Sequence, residues 1–329
     1  MRKEAALPGS TDSLALKRVS CATDFSDAAA AALEVAVAFA KACKAEIRVV
    51  HVCPFPVPSG GRMVCLAHRP AIDEKSRTDL IESLDRCRQR AIASGVVTRG
   101  VLLQGDPPGE IVREAEYAAA DLIVMGRHSQ GAPAPWILGS VAERVVRKAP
   151  CPVVVVRSFP RRPSERPRHV LCGLDLGETA AATLEYAVAV SNALEADLLV
   201  LHAVAGGGVQ GARNSVAAVV ARAPVTSGRA QERVVTGVPY QEVLAAAREN
   251  ETDLVVVGSH GGGIVDRQFL GSTTLHLLRW SECPVLVVPA RVSRTREESP
   301  SPIRYRRSCR RRKGETRRPF GLPEGVISA

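Results

Sequence analysis

The chain has 329 residues, enough for two ordinary domains, and only 4% of them are aromatic. Its formal charge of +10 is unevenly placed: from Arg291 onward there are 12 Lys and Arg against 4 Asp and Glu, so the body before Arg291 is close to neutral. No apolar run reaches the roughly 18 residues a bilayer span needs, and the opening MRKEAALPGSTDS lacks the apolar stretch of a secretory leader. Nine cysteines without such a leader fit a reducing cytoplasm, so a cytoplasmic location is expected. Cys21, Cys151, Cys172 and Cys283 lie in or beside apolar runs and read as small buried hydrophobes.

Residues 1–16 form an N-terminal extension. A β-branched strand over Arg18 to Thr23 then runs into Asp24, and an alanine-rich helix follows with Ser26 as its N-cap. A second strand ends at His51. A proline-rich stretch and a charged helical segment, Asp73 to Ile92, precede a third strand ending at Gly105. After another helix, a fourth strand enters a loop at Gly126, a helix opens at Gly139-Ser140, and a last strand follows Cys151-Pro152. The segment RSFPRRPSERP is proline-rich, charged and without periodicity, which marks residues 158–167 as a linker.

From Arg168 the same order returns. DLIVMGRHSQGAPAPWILGSVAERVVRKAPCPVVVV from Asp121 aligns without a gap to DLVVVGSHGGGIVDRQFLGSTTLHLLRWSECPVLVV from Asp253, at an offset of 132. Upstream the offset is 151, matching Asp24 to Asp175 and His51 to His202, and Thr179 is the expected N-cap of the second copy's first helix. The second copy therefore lacks 19 residues between His202 and Gly237, where at most a short helix is expected. Two domains follow, 17–157 and 168–290, and a basic tail, 291–329, whose composition predicts disorder. Short apolar strands alternating with amphipathic helices predict an α/β fold with parallel sheets covered on both faces. Right-handed crossovers gather the loops after the strands on one sheet edge, where ligands bind. The last strands, Val153 to Val156 and Val285 to Val288, are continuously apolar and need a partner, so the two domains are expected to pair through them as a pseudo-dimer.

The loop from Gly258 carries five glycines within twenty residues of a strand and feeds a helix at Gly271-Ser272. Glycine lets backbone N–H groups close around a ligand, and a helix start adds aligned donors, so the loop reads as an anion site or as a structural turn. Ser272 and Thr273 add hydroxyl donors, and Asp175 on the same edge is placed to accept from a ribose hydroxyl or an amino group. The G-x-x-x-x-G-K-[ST] and G-x-G-x-x-G patterns are both absent at these places, which excludes a P-loop and a Rossmann site.

Gly258-x-x-Gly261, nine residues, then Gly271-Ser272 resembles the signature of the universal stress protein family, in its ATP-binding branch. The strand-end Asp175, the order of elements and the closing Cys-Pro-Val run are similar too, over about Lys17 to Pro289. The resemblance implies two tandem open parallel five-stranded sheets flanked by helices, the adenine nucleotide alpha hydrolase-like architecture. It implies ATP, with Mg²⁺ as a candidate companion. Gly258, His260, Gly261, Gly271, Ser272 and Thr273 would hold phosphates and ribose, Asp175 the adenosine part, and Ala203 and Val204 the adenine. In the first domain Asp24, Val52, Gly126, Gly139 and Ser140 correspond, but Ser129 replaces the middle glycine, and Pro133 and Pro135 stiffen its loop. Weak binding, altered binding and no binding all stay open there. The implied role is a nucleotide-dependent stress-response regulator; a slow ATPase or phosphotransferase, and an interaction protein without nucleotide, are the alternatives.

His128 and His260 read as solvent-facing loop residues or phosphate contacts, and His51 and His202 as cleft walls. His51, Cys53, Cys65 and His68 match no standard zinc spacing, so no metal site is expected. No catalytic constellation stands out. The arginine tail reads as solvated, with nucleic acid or an anionic surface as a speculative contact. A homodimer is a further possibility left by the resemblance.

If Gly261 lets the loop close on phosphate, Gly261→Ser should weaken ATP binding by about 1–3 kcal/mol, through backbone strain and lost charge-assisted hydrogen bonds. Ser129→Gly should help the first domain only modestly. Calorimetric titration of nucleotide-stripped protein measures both.

Overall fold

The computed structural model describes residues 16–54, 74–128, 137–157, 166–177, 179–204, 206, 208–221, 225, 228–260 and 270–290. Residues 1–15 of the N-terminal extension, most of the linker, the basic tail, and Ser129, Gly261, Pro133, Pro135, Cys65 and His68 lie outside them. The first half contains β1 (Arg18–Ala22), α1 (Asp27–Cys43), β2 (Glu46–Pro54), α2 (Glu74–Ala93), β3 (Thr98–Gly105), α3 (Pro107–Tyr117), β4 (Leu122–Gly126), α4 (Ser140–Lys148) and β5 (Val153–Val156). The second contains β6 (His169–Gly173), α5 (Ala180–Leu194), β7 (Asp197–Val204), α6 (Val209–Val220), β8 (Ala230–Thr236), α7 (Pro239–Glu249), β9 (Leu254–Gly258), α8 (Ser272–Trp280) and β10 (Val285–Val288).

The two expected five-stranded sheets are both present, and they join into one ten-stranded sheet of order β3-β2-β1-β4-β5-β10-β9-β6-β7-β8. Every pairing within a half is parallel. The seam is antiparallel, with Val285 opposite Val155, Leu286 opposite Val154 and Val287 opposite Val153, as the apolar last strands require. Strand direction therefore reverses at the seam, and the C-terminal strand ends of the two halves lie on opposite edges of the sheet.

Alternate residues of each strand enter two cores, one per face, and each core runs through both halves. On one face α1 and α5 cover Val124, Val154, Val256 and Leu286. On the other, residues of α3, α4, α7 and α8 cover Val153, Val155, Val255 and Val287. Asp121 begins one half's fourth-strand segment: its Oδ2 accepts from the N–H groups of Lys17 (2.8 Å) and Arg18 (2.9 Å). Asp253 does the same for Arg168 (2.8 Å) and His169 (3.1 Å), so the aligned aspartates are staples between neighbouring strand starts.

Four details differ from the sequence reading. β2 continues past His51 to Pro54 and β7 past His202 to Val204. The shortened crossover keeps a twelve-residue helix, α6, where at most a short one was expected. Ser26 caps α1 by accepting from Ala29 N at 3.2 Å, but the Thr179 hydroxyl leaves α5 uncapped and donates to the His260 carbonyl at 3.2 Å. Both first helices end on a left-handed non-glycine residue, Lys44 (φ 54°) and Glu195 (φ 52°), which no glycine announced.

Two predictions follow from the core. Leu286 is fully buried at the seam; Leu286→Ala should lower unfolding free energy by about 2–5 kcal/mol in urea titration. Burial raises the thiols of Cys151 and Cys172 from 9.0 to about 12, with Asp121 and Asp175 adding to it respectively. Unfolded thiols ionise near 9 while these stay protonated in the fold, so the folded chain binds more protons there. Stability should then fall as pH rises from about 9 towards 12, and fall less in Cys172→Ala, when urea midpoints are compared across that window.

Candidate functional site

Each half holds a cavity at the C-terminal edge of its own strands. The one in the second half is about 360 Å³ and lies between the ends of β6, β7 and β9 and the start of α8. Asp175, His202, Ala203, Gly258, His260, Gly271, Ser272 and Thr273 line it. Val204 ends β7 opposite Thr236 and is not in the lining. The cavity in the first half is about 470 Å³, and Asp24, Val52, Gly126, His128, Gly139 and Ser140 line it.

The motif glycines act by close packing. A Cβ at Gly258 would sit 2.9 Å from Thr183 Oγ1 and 3.1 Å from Thr179 Oγ1. At Gly126 it would sit 3.0–3.1 Å from the backbone and Cβ of Ala28 and the backbone of Ala29. These glycines let the first helix of each half lie against the end of the fourth strand. A Cβ on Gly139 would come within 2.9 Å of the Arg127 carbonyl. That carbonyl accepts from Gly139 N at 2.8 Å, and the Ser259 carbonyl accepts from Gly271 N at 2.9 Å. One backbone bond thus ties the far side of each loop to its near side and aims the next helix at the cavity.

α4 and α8 both start at a glycine N-cap with no side-chain cap bond. Their first-turn N–H groups have no intrahelical acceptor. In α8 the Thr274 hydroxyl donates to the Gly258 carbonyl at 2.7 Å, fixing helix to strand, while Ser272 and Thr273 line the cavity. The first turn of α8 carries no acidic residue, whereas that of α4 carries Glu143. The Glu143 carboxylate opposes an anion at the start of α4, and no acidic side chain does so at the start of α8.

His51 and His202 play one part in both halves. The Nδ1 of His51 lies 2.8 Å from the Thr23 carbonyl, and that of His202 lies 2.8 Å from the Leu174 carbonyl. A carbonyl only accepts, so Nδ1 carries the proton and the ring secures the loop after the first strand. Asp24 Oδ1 accepts from Ser26 N (3.0 Å) and Oγ (2.5 Å), while Asp175 Oδ1 meets Gly177 N at 3.4 Å. The Asp24 carboxylate is thus engaged by Ser26 of its own loop.

His128 and His260 are half-buried cavity-lining residues, not solvent-facing ones. Ser259 Oγ lies 2.8 Å from His260 Nδ1 and accepts from Ala290 N at 3.1 Å. Among the described residues no cluster of three or more His, Cys, Asp or Glu could hold a metal.

The sequence reading expected the third helices but did not place them at the cavities. Pro107 and Ile111, and Pro239 and Val243, line the two cavities. The signal was present: both repeats place Pro just after Gly105 and Gly237 at the same offset of 132. It also missed Arg127, which lines the first cavity, is 1% exposed and has a guanidinium pKa lowered to about 10 by burial and by the charge of Arg157. The third and fourth helices are braced differently in the two halves. Asp106 and Arg144 form a two-point ion pair (2.9 and 3.2 Å) in the first, and Tyr240 stacks on His276 (centroids 4.3 Å apart) in the second.

A tandem open α/β sheet with a cavity at each set of strand ends defines the class of protein. The universal stress protein family model matches residues 15–157 and again 167–289, and the chain belongs to that family. A universal stress protein of Methanocaldococcus jannaschii is 38% identical over 145 residues, 43% of this chain and 82% of its own length. One from Thermus aquaticus is 39% identical over 143 residues, 43% of this chain and 98% of its own. The crystal structure of a universal stress protein from Archaeoglobus fulgidus shares the fold at TM-score 0.65 and 24% identity, over 83% of this chain and 98% of that one.

The two cavity-forming glycines give a direct test of this packing. Gly258→Val should lower the melting temperature by several degrees, because the added atoms meet the start of α5 (about 1–3 kcal/mol for overpacking). Replacing Thr183 by Ala in the same chain should recover part of the loss in a thermal melt.

Proposed function

We propose that this universal stress protein binds ATP, chiefly in the cavity of its second domain, and serves as a nucleotide-dependent stress-response regulator. The carrying observation is the start of α8: uncapped first-turn amides, the Ser272 and Thr273 hydroxyls, and no acidic side chain, all at the wall of one cavity. A phosphate chain there meets aligned donors and the positive end of a helix. His260, Gly258 and Gly271, with Gly261 in the same loop, complete the phosphate side. Asp175 and Ala203, across the cavity, suit the ribose and base, with Val204 just beyond. Mg²⁺ would accompany the phosphates.

The first domain supplies a second, larger cavity with Asp24, Val52, Gly126, Gly139 and Ser140, and Ser129 in its loop. Glu143 at the start of α4 and the closed Asp24–Ser26 loop favour a weaker site for a triphosphate. A cytoplasmic protein working as a monomeric pseudo-dimer, or as a dimer of it, fits this reading.

The test is to purify the full chain, denature it and assay released nucleotide, then titrate stripped protein with Mg·ATP. Close to one ATP per chain at the tighter site is expected. The double change Ser272→Ala with Thr273→Val should weaken that site at least about a hundredfold, from two lost hydrogen bonds to charged oxygens. Wild-type protein that neither retains nor takes up nucleotide would refute the proposal.

A further inference from the structure

The two cavities open on opposite edges of the sheet, yet the Arg127 side chain links the wall of the first to the helix that begins at the second. Arg127 follows β4 and lines the first cavity. Its Nη1 donates to the Arg279 carbonyl at 2.6 Å, across the seam. Arg279 lies in the last turn of α8, and the first turn of that same helix lines the second cavity. The Arg127 backbone is fixed as well: its N–H donates to the Val156 carbonyl at 2.7 Å, and its own carbonyl accepts from Gly139, the N-cap of α4.

We propose that Arg127 couples the two cavities, by tying the loop of the first to the far end of the helix that begins at the second. Nine residues of α helix form a rod about 13 Å long. A ligand that pulls on the first-turn amides of α8 shifts or stiffens the whole rod, and the carbonyl held by Arg127 moves with it. A guanidinium buried this deeply does not give up a partner cheaply, so the loop follows. Through Gly139 the change reaches the start of α4. Linkage makes the effect reciprocal: occupancy of either cavity alters the affinity of the other.

The contact has no mirror image. Ser259 occupies the position equivalent to Arg127 and has the same backbone bonds, to the Val288 carbonyl and from Gly271. Its short side chain stays within its own half, on Ala290 and His260. The molecule is a near-symmetric pair with one asymmetric tether.

The inference rests on the second cavity being the nucleotide site, and the experiment separates the two. Hydrogen exchange of residues 271–276 in the full chain is followed against Mg·ATP concentration for wild type, Arg127→Ser and Arg127→Lys. The midpoint of that protection should rise at least fivefold in Arg127→Ser, although the residue lies outside the second cavity. Arg127→Lys keeps one donor and should return within about twofold of wild type. In ligand-free Arg127→Ser, amides of residues 277–281 and 139–146 should exchange faster. Arg127→Met, which fills the space without a donor, replaces Arg127→Ser if the latter melts non-cooperatively. Equal midpoints in wild type and a folded donor-less variant overturn the coupling and leave the nucleotide site standing. If ATP protects nothing, the nucleotide reading fails, and unchanged ligand-free exchange at both segments then overturns the tether on its own.

Discussion

Three residues on each side of one antiparallel strand pair, Val153 to Val155 and Val285 to Val287, organise the whole molecule. Each half alone would end in a short, wholly apolar edge strand, which invites pairing with another chain. Facing the two edges satisfies both sets of backbone groups and merges two small sheets into one. The cores on both faces then run across the seam without a break. Buried apolar area grows faster than chain length in such a merger, which is how short four-residue strands with so few aromatic side chains sustain a stable fold.

Much of the fold was legible because duplication supplied an internal control. A strand read from DLIVMG became secure when DLVVVG repeated it at constant offset, and the paired aspartates Asp121 and Asp253 proved to be matching staples. What escaped notice was information carried by only one copy or by main chain alone. The left-handed caps at Lys44 and Glu195 use ordinary residues, so no glycine marked them. α6 was underestimated because the deletion around it removed the charged pattern that made α2 visible.

The cavities were legible in outline and not in mechanism. Asp24 with Gly139-Ser140, and Asp175 with Gly271-Ser272, could each be placed at the strand-end edge of their own half from chain order alone. The reason for Gly126 and Gly258 could not, because tight contact with a helix start and close approach to phosphate demand the same residue. Arg127 was invisible for a different reason. An arginine in a glycine loop suggests a ligand contact, and only the antiparallel seam brings the carbonyl of Arg279 within its reach.

The reversal of strand direction at the seam also governs what the surroundings can sense. In a side-by-side parallel arrangement both mouths would face one way, and a single flat partner could cover them together. Here they look out from opposite edges of the sheet. A flat surface that covers one mouth leaves the other open. The two mouths are thereby two separate surfaces, and whatever links them has to pass through the interior of the sheet.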